Sequence, residues 1–176
     1  MSSYLVALVV SDFERRSLDD SSTPRASALV QASAMHQLQC YLQFLRPIVR
    51  EFEKKLNHSY ILPKLDMAAV PDFLAGAMEN WGLMVFRDTA ALCPTGEASS
   101  VTSITSVAVE QAIYRVVAHE VTHQWFGNLV SPLWWKYTWL SEGFARYFQV
   151  HMLTEVCSVV CDLIFIHFTV CTRLFV

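Results

Sequence analysis

The stretch "HEVTHQWFGN", His119 to Asn128, decides how the rest of the chain is read. Residues four apart on a helix share a face. His119 and His123 therefore point the same way, one turn apart, and their imidazoles can converge on a single ion. Zinc suits such a nitrogen pair, with bonds of about 2.0–2.1 Å. Glu120 lies one residue round from His119. It can flank the ion without ligating it and accept a proton from an activated water, the division of labour of the HExxH pattern. The plainer alternative is a histidine pair on the surface of an amphipathic helix. A catalytic zinc takes three protein ligands, so a third is sought elsewhere. Glu142, in "WLSEGF", follows His123 after eighteen intervening residues. A helix–loop–helix of that length can return the chain to the ion. The competing role for Glu142 is a carboxylate in the first turn of a helix, favourable to the helix dipole.

Working outward, the pattern from Val109 to Phe126 predicts a helix ended by Gly127 and Asn128. The Trp-rich connection "LVSPLWWKYTWL" follows, and Ser141 is the expected N-cap of a last helix beginning at Glu142. Upstream, residues 4–10 predict a buried strand, and residues 11–27 a polar linker containing Pro24. Residues 28–56 carry Leu38, Leu42, Leu45, Ile48, Val49 and Phe52 at helical spacing, with Pro47 expected to kink or restart the helix. "ILPKLDMAAVPDF" reads as extended, "GAMENWGLMVFR" as a turn into a strand, and residues 88–107 as a loop. The final segment, "VCSVVCDLIFIHFTVCTRLFV", approaches membrane-spanning length. Asp162, His167 and Arg173 oppose that reading, so a buried strand or hairpin is expected there.

The 176 residues suit about one domain. The apolar fraction of 53% and charged fraction of 16% are those of a chain with surface to bury against further protein. A net charge of −3 with no basic run excludes nucleic acid as a partner. The apolar run "YLVALVV" has no basic segment before it and no cleavage pattern after it, so no signal peptide is read. The cysteines, Cys40, Cys93, Cys157, Cys161 and Cys171, are odd in number and form no CxxC pair, which supports neither a disulfide framework nor a zinc ribbon. Asn57-His58-Ser59 is a glycosylation sequon if the chain is secreted.

"GAMENWG", then "HEVTHQWFGN", then "WLSEGFARYF" together resemble the aminopeptidase N-like zinc metallopeptidases, a gluzincin family, and "WWKYTWLSEGFARYFQ" is most similar to its insect gut members. The resemblance covers roughly residues 1–155. It implies an α+β fold comprising the first part of a thermolysin-like peptidase domain over residues 25–155. Residues 1–12 would be a β-strand remnant of an N-terminal β-domain, and residues 156–176 a divergent tail. It implies one Zn2+ held by His119, His123 and Glu142, with Glu120 as general base. It further implies that Glu79 anchors the substrate ammonium, with Gly76, Ala77, Met78 and Asn80 around it. Gly76 and Ala77 would let the peptide approach closely, and the strand that follows would pair with it as an added strand.

The substrates implied are peptides with a free N-terminus, and membrane association at the cell surface follows from the resemblance alone. Several departures stand beside it. The family's oxyanion-stabilising tyrosine comes from beyond the length of this chain, and Tyr147 lies too close to the zinc helix to replace it. Loss of one such donor costs about 10²–10³ in kcat. Ser141 stands where the family usually has Asn, and residues 14–40 match poorly. The chain is thus expected to be a truncated zinc aminopeptidase with impaired turnover. The alternative is a catalytically inactive zinc-binding fragment serving as a binding or decoy module. A purely structural zinc protein is disfavoured, since it needs neither Glu120 nor an amine anchor.

Overall fold

The computed structural model describes residues 1–19, 23–93 and 103–160. It is a mixed α/β unit with one five-stranded sheet. β1 (Glu14–Asp19) pairs antiparallel with β2 (Arg25–Val30). β2 runs parallel to β3 (Lys64–Val70), and β3 parallel to β5 (Leu83–Arg87). β4 (Ala77–Met78) closes the order β1-β2-β3-β5-β4 by pairing antiparallel with β5. The long crossover from β2 to β3 is α1 (Gln39–Leu56), as a parallel pair requires. A short helix α2 (Asp88–Ala91) follows β5, and α3 (Ser103–His123) and α4 (Thr138–Val160) complete the unit.

α1 buries Tyr41, Phe44, Leu45, Ile48, Val49 and Phe52 on one stripe. Phe44 stacks on Tyr114 of α3 at 3.5 Å between ring centroids, and Phe52 on Trp125 at 5.2 Å. Met152, Leu153 and Val156 of α4 join the same core. The helix runs on through Pro47, so the proline does not restart it. An interior proline costs about 3 kcal/mol, whereas each of the large side chains on this stripe gains about 1.5–3 kcal/mol by burial.

The structure corrects other expectations. Residues 4–10 form no strand: Ser3–Leu5 is a 3-10 turn, Leu5 is buried, and Val6, Leu8 and Val10 are exposed with no partner strand among the described residues. Leu5 is held because its carbonyl accepts Trp81 N–H at 3.2 Å. The polar segment 11–27 is not a linker but contains β1 and the start of β2. Its polar side chains pair across strands: Arg15 Nε donates to Ser27 Oγ at 3.0 Å, Ser27 Oγ donates to Asp66, and the Arg15 guanidinium lies 3.8 Å from the Asp66 carboxylate. Residues 28–30 are strand and 32–37 a 3-10 helix, so the helical spacing is realised only from Gln39. The expected loop at 88–107 contains α2 and the first turn of α3, while residues 94–102 lie outside the described residues. α4 continues to Val160, past the point where a strand or hairpin was expected, and residues 161–176 lie outside the described residues.

Cys40 and Cys93 form a disulfide, with Cα atoms 5.8 Å apart. Their separation of 53 residues carries no local pattern. The pairing follows from the start of α1 meeting the segment after α2, where Cys93 N–H also donates to Gln37 O at 2.9 Å. Among the described residues no helix is long and apolar enough to cross a membrane.

Candidate metal centre and peptide site

α3 ends at His123, three residues before the expected end. The chain then tightens: Gln124 N–H and Trp125 N–H bond to Val121 and Thr122 carbonyls at 3.1 Å, and Asn128 N–H returns to His123 O at 3.0 Å. Gly127 has φ +130°, a conformation open to glycine and strained for other residues. α4 begins at Thr138, so Ser141 is not the N-cap. It lies inside the helix, with its Oγ donating to Thr138 O at 2.9 Å. Glu142 consequently sits in the second turn, where the helix dipole gives no account of it.

The three expected ligands meet. His119 Nε2 and His123 Nε2 are 3.2 Å apart, and Glu142 carboxylate oxygens lie 3.3 Å from the first and 3.5 Å from the second. A tetrahedral ion with bonds of about 2.0–2.1 Å has ligand atoms about 3.3–3.4 Å apart, so the spacing is that of one face of such a site. Hydrogen bonding points the same way. His123 Nδ1 is 2.9 Å from Phe126 O, and His119 Nδ1 is 3.0 Å from Gln149 Oε1. Both oxygens only accept, so each Nδ1 carries hydrogen. In a ring with its hydrogen on Nδ1 the Nε2 lone pair is free to ligate, so the pair can share either a proton or a metal ion with Glu142.

The electrostatics describe the same demand. Burial alone would lower the His123 pKa. The Glu142 hydrogen bond, Glu79, the Phe126 carbonyl and Glu120 outweigh it and raise the pKa to about 9. Burial pushes the Glu120 carboxyl up to about 8, opposed by His123 and aided by Glu79 and Glu142. Hydrogen bonds from His119 and then His123 hold Glu142 well below the usual carboxylate range. Glu120 is 5% exposed, and its Oε2 has no hydrogen-bond partner among the described residues. The donor set and this buried acceptor fit a divalent ion with an adjoining base.

β4 carries Ala77 and Met78 at the free edge of the sheet, with Glu79 next in the chain. The strand after it, β5, is paired on both sides, so it is not the one open to an added strand, contrary to expectation. Glu79 is half-buried and its charge acts on Glu120 and His123. Asn80 is buried and its amide donates to Tyr4 O at 3.4 Å. Gly76 is exposed, and a Cβ there would meet nothing within 4 Å.

Sequence reasoning missed Gln149, Gln124 and Tyr4, and gave Asn128 only the ending of a helix. Gln149 lies seven residues after Glu142 on α4, hence on the same face, and that spacing was the available signal. The Tyr4 ring packs on Trp135 at 4.9 Å beside a cavity of about 300 Å³ that Ser141 also lines. Burial, then Glu79 and Glu142, raise its pKa.

A mixed α/β unit with a His/His/Glu cluster at the joint of two helices defines a candidate metal-dependent protein. Comparison with known proteins gives the particular class: residues 41–173 match the Peptidase family M1 domain. The chain belongs to this family. It is 43% identical over 151 residues to aminopeptidase N of Plutella xylostella. It is also 42% identical over 150 residues to endoplasmic reticulum aminopeptidase 2 of Homo sapiens, and 39% over 149 to glutamyl aminopeptidase of Homo sapiens. In each case the match covers 85% of this chain and 15% of the relative.

Proposed function

We propose that the chain carries the metal and amine-recognition part of a zinc aminopeptidase with a thermolysin-like domain over residues 25–155. The observation that supports it most is the convergence of two imidazole Nε2 atoms and a carboxylate, with both Nδ1 atoms facing acceptors. His119, His123 and Glu142 would hold Zn2+. When bound, zinc supplies Lewis-acid polarisation of the scissile carbonyl and lowers the pKa of water toward about 7.

The chain's own residues do the rest. Glu79 pairs with the substrate ammonium, and the pair gains strength where water is excluded. The open edge of β4 offers main-chain hydrogen bonds to the peptide just before that anchor. Glu120 takes one proton from the attacking water as its oxygen bonds to the carbonyl carbon. It then delivers that proton to the leaving nitrogen as the C–N bond breaks. The substrate class is peptides with a free N-terminus. The disulfide favours an oxidising compartment, such as the secretory pathway or the cell exterior.

The competing reading, a zinc-binding module without turnover, is favoured by one observation: Glu142 is half exposed in this chain, so the site is poorly closed to water. The test is hydrolysis of an unblocked aminoacyl anilide by the zinc-loaded chain, beside Glu120→Gln and an N-acetylated substrate. Turnover lost in both comparisons supports the enzyme. A folded, zinc-loaded chain without turnover supports the binding module.

A further inference from the structure

We infer that Gln124 and Asn128 are positioning residues that hold the amine anchor at a fixed distance from the metal cluster, and so set the point of cleavage one residue from the amino terminus. The inference rests on the reading of Glu79 as amine anchor. Both side-chain amides donate to one atom, the Glu79 carbonyl oxygen: Gln124 Nε2 at 3.1 Å and Asn128 Nδ2 at 2.8 Å. Asn128 also reaches the metal ligand next door, since its backbone N–H donates to His123 O at 3.0 Å. One residue thereby touches His123 with its main chain and Glu79 with its side chain. Gln124 directly follows His123, and its Oε1 accepts Tyr60 O–H at 3.1 Å and Gly82 N–H at 3.4 Å, which fixes the turn leading out of the Glu79 strand. Gln124 is 1% and Asn128 2% exposed. The donors are therefore held away from bulk water, and each lost donor leaves the Glu79 carbonyl one partner short.

β4 is only two residues long and lies at the sheet edge, so its own ladder positions Glu79 weakly. The two amides supply what the short strand lacks. An ammonium at Glu79 and a carbonyl at the metal cluster bracket a single residue only while their separation is kept.

Gln124→Met keeps similar bulk and removes the donor to Glu79 without adding a charge beside the amine anchor. Asn128→Ala removes the other donor and provides a second, independent variant. Both are made in the zinc-loaded chain carrying Glu120→Gln, which arrests hydrolysis. Binding of Leu-Ala-Ala and of N-acetyl-Leu-Ala-Ala is measured by calorimetry, with zinc content and thermal unfolding followed in parallel. The parent chain is expected to prefer the free amine by about a hundredfold, the cost of leaving a buried charge unpaired. The variants are expected to bring that ratio below about tenfold. A merely structural loss weakens both peptides alike and leaves the ratio intact. An unchanged ratio in either folded, zinc-loaded variant overturns the inference. A parent chain that does not discriminate, or binds neither peptide, overturns the amine-anchor reading itself, and the inference with it.

Discussion

Replacing Gln149 by Leu tests the logic of the metal centre at a residue that is no ligand. Gln149 is 8% exposed on α4, and its Oε1 lies 3.0 Å from His119 Nδ1. That bond keeps hydrogen on Nδ1 and aims the Nε2 lone pair at His123 and Glu142. Leucine has similar bulk and no acceptor. The imidazole then loses its preference for the ligating tautomer and its fixed rotation. His119's side chain is 19% exposed, so water replaces the lost acceptor only in part. Outer-sphere partners of ligating histidines are worth about 10–100-fold in metal affinity, or about 1.4–2.7 kcal/mol. Zinc affinity should therefore fall by that factor in Gln149→Leu. In Gln149→Glu it should hold or rise, because a carboxylate makes the imidazole more basic. The assay is equilibrium competition with a chromophoric zinc chelator near neutral pH, with unfolding of the metal-free chains as the control for folding. Wild-type affinity in Gln149→Leu would refute the claim that this bond orients His119.

Gly127→Ala should lower both stability and zinc affinity. Its φ of +130° costs an L-residue about 1–3 kcal/mol, and the added Cβ would lie 3.2 Å from His123 Nδ1. Thermal unfolding and the chelator assay read the two losses separately. Cys40→Ser or Cys93→Ser should destabilise the chain by about 4 kcal/mol from loop-closure entropy over the 53-residue separation. Denaturant unfolding under non-reducing conditions, with the reduced wild type as comparison, measures it. Zinc binding at neutral pH should release about two protons, from His123 and Glu120, and apparent affinity should weaken as pH falls below about 8. Calorimetry in buffers of different ionisation enthalpy counts them. Without zinc, the two raised pKa values favour the folded state at low pH. Their contribution is present below the unfolded values and is lost as pH rises through about 8 for Glu120 and about 9 for His123, which unfolding against pH in chelator would show.

The histidines of the candidate cluster were legible as a pair because helical periodicity is local information. His119 and His123 face together by geometry alone, and Glu142 had to return from the next helix. β3 and β5 were legible as apolar runs, and the core stripe of α1 as an amphipathic pattern. β1 was hidden, since "ERRSLD" has no apolar alternation and holds its place through Arg15, Ser27 and Asp66 on neighbouring strands. Residues 4–10 misled in the opposite sense, because Val6, Leu8 and Val10 look like a buried strand but find no partner among the described residues. β4's edge position was illegible for a different reason. Strand order is set by long-range pairing, and nothing in "GAMENWG" says that the following strand will be paired on both sides. The Gln124 and Asn128 bonds to Glu79 span 45 and 49 residues, and no local pattern encodes them.

On the proposed reading, charge balance links the base to the metal. Glu79, Glu120 and Glu142 bring three carboxylates to one place, against two imidazoles that are neutral when both Nε2 atoms are bare. Burial makes that excess of negative charge costly. The metal-free cluster meets the cost with protons, which is why Glu120 rises to about 8 and His123 to about 9. A protonated Glu120 cannot accept a proton, and a protonated His123 cannot ligate. His119, His123 and Glu142, holding a divalent cation, would no longer need either proton, and the total charge would be the same. His123 would then be bare at Nε2, and Glu120 an anion with its buried Oε2 free of any hydrogen-bond partner among the described residues. On that reading, the same exchange that would complete the site would put Glu120 into the form needed for proton transfer.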